Sequence, residues 1–285
     1  MIRTTPCAIL ALLTLMLPFP VLAAPLDRAS GATDVSDAAN EVDPGQGGWI
    51  VTIGASGELG PKFPGAAHYG ASVMPSFDIR RFGEPAENSA ADDNIDYGLF
   101  DIAGIEIGPV LGFRDSRSTS DDGRLKGLRT LNWGVDGGLF AQGWPIADRL
   151  RVRSEIRQAL NNDTGLVIAL GADWFQPLND KWLLSAGPRA TFGNRTYMRK
   201  YFGVTDAESA ANGVLPSFQA EGGLQSVGFV VSASYAVTPD MTVEFYNRFD
   251  RLTGDAADSP ITSSFGSRNQ NVFGISISKA FAVRF

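Results

Sequence analysis

The sequence predicts an all-β fold, a transmembrane antiparallel up-and-down β-barrel of about ten to twelve strands, and three observations predict it. Apolar and polar residues alternate through most of the chain after Gly48, one strand carries its charges in a single phase, and the connections sort into short turns and long loops. A period of two belongs to a strand with one greasy face and one wet face.

The strand at 148–158 fixes the frame. Arg149, Arg151, Arg153, Glu155 and Arg157 occupy its odd positions, while Leu150, Val152 and Ile156 occupy the even ones, with Ser154 as the exception. A helix would scatter these arginines around its cylinder and leave no useful apolar stripe. In an outer-membrane barrel a lipid-facing Arg or Lys costs roughly 2–4 kcal/mol at the bilayer midplane, so the charged phase must face the lumen. A register slip of one residue would turn every charge toward lipid.

At the amino end, Arg3 precedes an apolar run at 8–17, and Val21-Leu22-Ala23 supplies a small-residue cleavage site. Residues 1–23 therefore read as a secretory signal peptide, too short to span a bilayer. Cys7 lies inside it and is the chain's one cysteine, so thiol catalysis, cysteine metal sites and disulfides are excluded from the mature protein. Residues 24–47, rich in Ala, Asp, Ser and Gly, read as a flexible acidic periplasmic lead-in, and 48–285 as the barrel. A net charge of -7 argues against nucleic acid as a partner. The 32 glycines suit a curved sheet with an uncrowded interior.

The strands follow in order. Trp49, Val51, Ile53 and Ala55 share a face, then Tyr69, Val73, Phe77 and Ile79, with Pro75 predicting a bulge. Ile105, Ile107, Leu111 and Phe113 oppose Glu106 and Arg114. Leu131, Trp133, Val135 and Leu139 oppose Asp136 and Gln142. After the arginine strand, Leu166, Ile168, Leu170 and Trp174 turn outward with Asp173 inward, and Trp182, Leu184 and Ala186 oppose Ser185 and Arg189. Val227, Phe229 and Val231 lead through Thr238-Pro239-Asp240 to Val243, Phe245 and Phe249, opposite Glu244, Arg248 and Asp250. Phe273, Ile275, Ile277, Phe281 and Val283 complete the wall, where Lys279 breaks the face near a strand end and snorkels to the interface.

Turns at 145–148, 177–180 and 238–240 fall on the periplasmic side, and loops at 115–129, 193–218 and 253–268 outside. This parity gives ten strands. The stretch 94–103 looks strand-like and would make eleven, so it either stays outside the count or hides a pair that makes twelve.

Catalytic chemistry finds little support. His68 is the single histidine and no Gly-x-Ser-x-Gly elbow accompanies it, so the chain reads as no enzyme and as needing no cofactor. Asp255 and Asp258, with Arg268 close in sequence, either hold their loop closed or contribute to a weak divalent-cation site, for which two carboxylates are few. Tyr201 and Phe202 either pack the long loop or form adhesive tips. The inward Arg149, Arg151, Arg153, Glu155, Arg157, Arg189, Glu244 and Arg248 either pair across a narrow lumen or line a small anion-preferring channel.

Longer motifs carry a resemblance. Tyr201-Phe202-Gly203-Val204-Thr205 followed by Glu208-Ser209-Ala210 and Gly213, then the run from Gly254 through Asp255 and Asp258 to Ile261, and finally Ser267-Arg268-Asn269-Gln270, resemble the signatures of the MipA/OmpV family. Ser185-Ala186-Gly187-Pro188-Arg189 and the loop at 61–65 fit the same family. Phe285, with apolar residues at alternate positions before it, resembles the ending by which outer-membrane barrels are recognised for assembly. The resemblance implies a barrel in outer-membrane lipid and a scaffold that binds a lytic transglycosylase and a murein synthase; a narrow channel and a surface adhesin are the alternatives. Residues 82–100 depart from the family, with Glu84, Glu87, Asp92, Asp93 and Asp96 where a more apolar strand is expected. That stretch reads as an altered periplasmic partner surface.

Overall fold

The computed structural model describes residues 48–284 apart from 85 and 162. The expected signal peptide and lead-in, together with Phe285, lie outside the described residues. Ten long strands form the wall: β1 (Gly48–Pro61), β2 (Tyr69–Arg81), β5 (Ile105–Arg114), β6 (Gly134–Ile146), β7 (Leu150–Ala159), β8 (Leu166–Pro177), β9 (Trp182–Gly193), β10 (Gly223–Thr238), β11 (Met241–Leu252) and β12 (Asn269–Arg284). Two short strands, β3 (Ile95–Asp96) and β4 (Phe100–Ile102), precede β5. All pairs are antiparallel, and β1 meets β12 from Gly48↔Arg284 to Leu59↔Phe273, so first and last strands lie side by side. The order runs β2-β1-β12 and then back through β11 to β5 and β3.

The strand count has a physical resolution. β2 ends at the periplasmic rim, where the Phe82 amide donates to the Gly48 carbonyl. Residues 86–94 then rise inside the lumen, with Asn88 beside the carbonyl of Asp148 and Asn94 beside Glu155. The chain comes back down along β5 as one broken strand: Ile95 opposes Leu111, the Tyr97 and Leu99 amides donate to Pro109 and Ile107, and Ile102 opposes Ile105. Parity survives because one crossing goes through the barrel and not its wall. Residues 82–100 are therefore not a periplasmic surface, as their acidity suggests, but mostly lumen filling.

Two smaller expectations also change. Pro75 opposes Ala55 in an unbroken ladder, with no bulge. Among the described residues β2 has no ladder on its other edge, and an edge strand tolerates a missing donor. Leu131 is buried, not lipid-facing, because β6 begins only at Gly134 and Leu131 pairs with Arg117 in the outer loops.

The outward face is a band of exposed Val73, Phe77, Leu111, Leu139, Val152, Ile156, Leu170, Phe229, Phe245 and Ile275. A water-facing protein could not leave so continuous an apolar surface open, whereas lipid requires it. Near the periplasmic rim Trp182 lies tilted at 4.8 Å from Tyr235, and near the outer rim Phe113 stacks at 5.6 Å from Trp133, as in an aromatic girdle. Lys279 meets Asp240 of the β10–β11 turn at 3.3 Å, so its charge reaches the rim.

The hydrophobic core sits above the membrane band. Loops 62–68, 115–133, 194–222 and 253–268 fold together over the outer mouth and carry helices α1 (Arg195–Tyr201), α2 (Asp206–Asn212) and α3 (Gly254–Asp258). Tyr197, Met198, Tyr201, Phe202, Leu252 and Ala256 form one apolar cluster, and Phe63, Leu125, Leu128, Val204, Leu215 and Ile261 another.

Val152→Arg places a charge on this band, where Val152 is 47% exposed. The expected cost is roughly 2–4 kcal/mol if the site lies near the midplane. Urea titration of protein refolded into lipid vesicles, read by heat-modifiable gel mobility, measures it; an unchanged midpoint would mean that this face does not meet lipid.

Candidate functional site

Alternation places the charges of β7 as its sequence requires: Arg151, Arg153 and Glu155 are buried, while Val152 and Ile156 are exposed. Their neighbours across the wall supply partial neutralisation. Asp173, opposite Arg151 in the β7–β8 register, accepts from it at 2.9 Å and also meets Arg189 at 2.8 Å. Glu155 meets Arg153 at 2.8 Å and Arg157 at 3.2 Å, and Asp250 meets Arg248 at 2.6 Å.

The lumenal segment completes the pairing. Asp92 takes two bonds from Arg189, at 2.7 and 3.0 Å, and meets Arg248 at 3.3 Å. Asp93 takes a fork from Arg151 at 2.6 and 2.9 Å, and Asp96 meets Arg153 at 2.5 Å. Asn94 bonds Glu155 at 2.8 Å and Arg157 at 3.2 Å. The result is an unbroken alternation across the lumen from Asp250 through Arg248, Asp92, Arg189, Asp173 and Arg151 to Asp93. Two-point guanidinium–carboxylate bonds of this kind fix position as well as charge.

The arginines also lie over rings, Arg153 at 4.3 Å from the centre of Phe140 and Arg151 at 5.7 Å from that of Phe175. Gln142 bridges Glu87 at 3.0 Å, Glu106 at 2.6 Å and Arg153 at 2.9 Å. Sequence reasoning missed Asp92, Asp93, Asp96, Phe140 and Gln142 as site residues. The signal that could have found the acids is the surplus of inward arginine on β7 and β9, which requires carboxylates from elsewhere.

Of the other expected lumen charges, Glu244 accepts from Ser234 at 3.0 Å on its own patch of wall. Arg149 stands at the turn before β7, 3.5 Å from the Phe175 carbonyl, apart from the ion chain.

The loop motifs converge on the cap and not on one pocket. Tyr201 and Phe202 are fully buried; the Tyr201 hydroxyl donates to the Asp115 carbonyl at 2.8 Å, and the Arg117 guanidinium donates to the Tyr201 carbonyl. Gly203 leaves room for the Arg199 carbonyl, which a Cβ would meet at 2.5 Å. Thr205 and Glu208 form a reciprocal capping box on α2, and Gly213 ends that helix at φ 75. Asp255 accepts the Glu221 amide at 2.7 Å, Asp258 meets Arg268 at 3.0 Å, and Asn269 accepts from Arg251 at 2.9 Å. His68 meets Asp122 at 3.2 Å. Among the described residues no cluster of three His, Cys, Asp or Glu is arranged to hold a metal ion.

Glu208 ties α2 to the neighbouring loop through Arg129, with contacts at 2.7 Å to both carboxylate oxygens. Burial opposes its charge, but bonds from Arg129 and Thr205 overcome that and hold its carboxyl at about 2, against 4.5 ordinarily. A carboxyl lowered by folding stabilises the fold above its unfolded value and loses that contribution as pH falls toward its folded value. Hydrogen exchange at residues 205–215 should accelerate as pH is lowered from about 4.5 toward about 2, beyond the intrinsic pH trend. Glu208→Gln should remove that extra dependence; its persistence would place the ion pair elsewhere.

For the ion chain, Arg151→Met leaves Asp93 and Asp173 buried with one cation fewer. The expected loss is about 3–5 kcal/mol by urea unfolding in lipid, because an uncompensated buried charge is strongly destabilising. Adding Asp93→Asn should recover a large part of it. Strict additivity of the two losses would show that the residues do not couple.

No curated protein matches the chain. Among solved structures it is similar to OprB of Pseudomonas putida, 12% identical over 65% of this chain and 47% of that one, with TM-score 0.37. OmpT of Vibrio cholerae is 9% identical over 84% of this chain and 98% of its own, with TM-score 0.33. The CymD monoaromatic hydrocarbon channel is 12% identical over 90% and 99%, with TM-score 0.36. The chain thus spans about half the length of OprB, 47%, and nearly all of the other two. Likeness at this level says nothing of solute or partner. The family of the MltA-interacting protein MipA is matched over residues 53–281, which reach into all ten long strands, and this outer-membrane barrel belongs to it.

Proposed function

We propose that the chain is a non-catalytic docking barrel that holds a lytic transglycosylase and a murein synthase together at the inner side of the outer membrane during peptidoglycan turnover. The observation that carries this reading is the filled lumen. A barrel whose interior is occupied by its own acidic segment, under a packed cap, offers surfaces more readily than it offers passage. The description of the family as MltA-interacting supports a murein enzyme as partner. The periplasmic rim presents Asp148, Asp180, Lys181 and Asp240 in short exposed turns, the kind of fixed polar display on which docking contacts are made.

The arginine row favours a second reading, a narrow anion-preferring channel, and the two separate experimentally. Full-length protein captured from solubilised envelopes should bring down a lytic transglycosylase and a murein synthase, and the folded protein should show no steady conductance in planar bilayers. Intact barrel without either enzyme would remove the docking reading, and steady anion current would put the channel in its place. A third reading, an adhesin with aromatic tips, loses support because Tyr201 and Phe202 are internal to the cap.

A further inference from the structure

The acidic segment has the properties of an occupant more than those of a structural strut. Between Gly83 and Asn94 the sequence holds no apolar residue larger than alanine or proline. Its one deeply buried apolar side chain is the methyl of Ala90, so leaving the lumen would expose little greasy surface to water. Its downstream end meets the wall through β3 and β4, ladders of two and three residue pairs with β5, against ten pairs between β5 and β6. Among the described residues it has no ladder beside β2. Gly83, at φ 85, gives the upstream end a turn that side chains rarely adopt.

What it leaves behind is a concave cationic surface. Arg151, Arg153 and Arg189 have side chains no more than 9% exposed, and each is bonded by a wall carboxylate and by a carboxylate of the segment. Arg151 also keeps its buried Nε without a hydrogen-bond partner even in the filled state. Removing Asp92, Asp93 and Asp96 leaves these guanidinium groups with donors in excess of acceptors. Forked donors at fixed positions select planar carboxylates over point anions.

We propose that this arginine surface is a binding site for small organic polycarboxylates reaching it from the periplasm, and that residues 86–96 are its internal competitor, three aspartates standing in for the carboxylates of a ligand. Access is periplasmic because the segment starts at that rim, whereas the opposite mouth lies under the cap. A ligand competes with a tethered occupant, so its apparent affinity is reduced by the fraction of time the site is empty.

Citrate serves as the probe, titrated calorimetrically at low ionic strength into the full chain folded in lipid nanodiscs. The wild type should bind weakly. Asp92→Asn, Asp93→Asn and Asp96→Asn combined should tighten binding by about tenfold or more, as neutral amides compete poorly for guanidinium. Adding Arg189→Gln should abolish the gain, and triethyl citrate, which lacks the charges, should not bind. Combined-variant protein that shows the folded gel mobility yet binds citrate no tighter than wild type overturns the proposal, as does a gain that survives Arg189→Gln. If the combined variant does not fold, Asp92→Asn alone is read the same way: a smaller gain supports the site and no gain overturns it. Neither result bears on capture of murein enzymes, which tests the docking reading separately.

Discussion

A guanidinium in a narrow lumen at membrane depth has to find its counter-charge inside the barrel. That constraint organises the interior. On β7 to β9 the inward Arg151, Arg153, Arg157 and Arg189 outnumber Glu155 and Asp173, and that local surplus is met by a segment carried in from the rim. Desolvating these ions is costly, and the attraction in a low-dielectric interior offsets the cost only when every pair is well formed. The alternation of Asp250, Arg248, Asp92, Arg189, Asp173 and Arg151 satisfies that requirement; on the wall alone Arg151 and Arg189 share the single carboxylate of Asp173.

The wall was legible in the sequence because lipid enforces a sharp rule. Each misplaced charge is expensive, so the period of two at β7, the outward Phe229 and Phe245, and the inward Asp173 could be read without coordinates. The lumen enforces no comparable pattern. Residues 83–94 are acidic, small and aperiodic, which is also how a solvated loop is written, and nothing local distinguishes an ion-paired interior from water. Only the local excess on β7 to β9, Arg151, Arg153, Arg157 and Arg189 against Glu155 and Asp173, set against the odd strand count, pointed there. Leu131 failed for a related reason: its alternation continues past the end of the ladder into a loop core that the period cannot mark.

The cap explains why the loops carry the most recognisable motifs. In a barrel with lipid outside and charge inside, a conventional apolar core has room only beyond the membrane. Tyr201, Phe202, Ala256 and Ile261 supply it, with Ser259 bonding the Phe202 carbonyl at 2.6 Å and the Thr205–Glu208 box starting α2. The motif residues are thus answers to a packing problem that any chain with this cap must solve. Of the candidate site, the arginines were visible as donors; their acceptors were visible only as an anomaly.

The missing ladder beside β2 has a mechanical meaning. A fully laced barrel resists a change of girth because every strand is tied to two neighbours, so strain spreads around the circumference. Here, among the described residues, β2 is laced to β1 alone, and its other flank comes close to β3 without a ladder. Such a wall behaves as a split ring. Lateral pressure from a thicker or thinner bilayer is taken up at one joint, the one between β2 and the broken strand, while the rest of the circumference keeps its register.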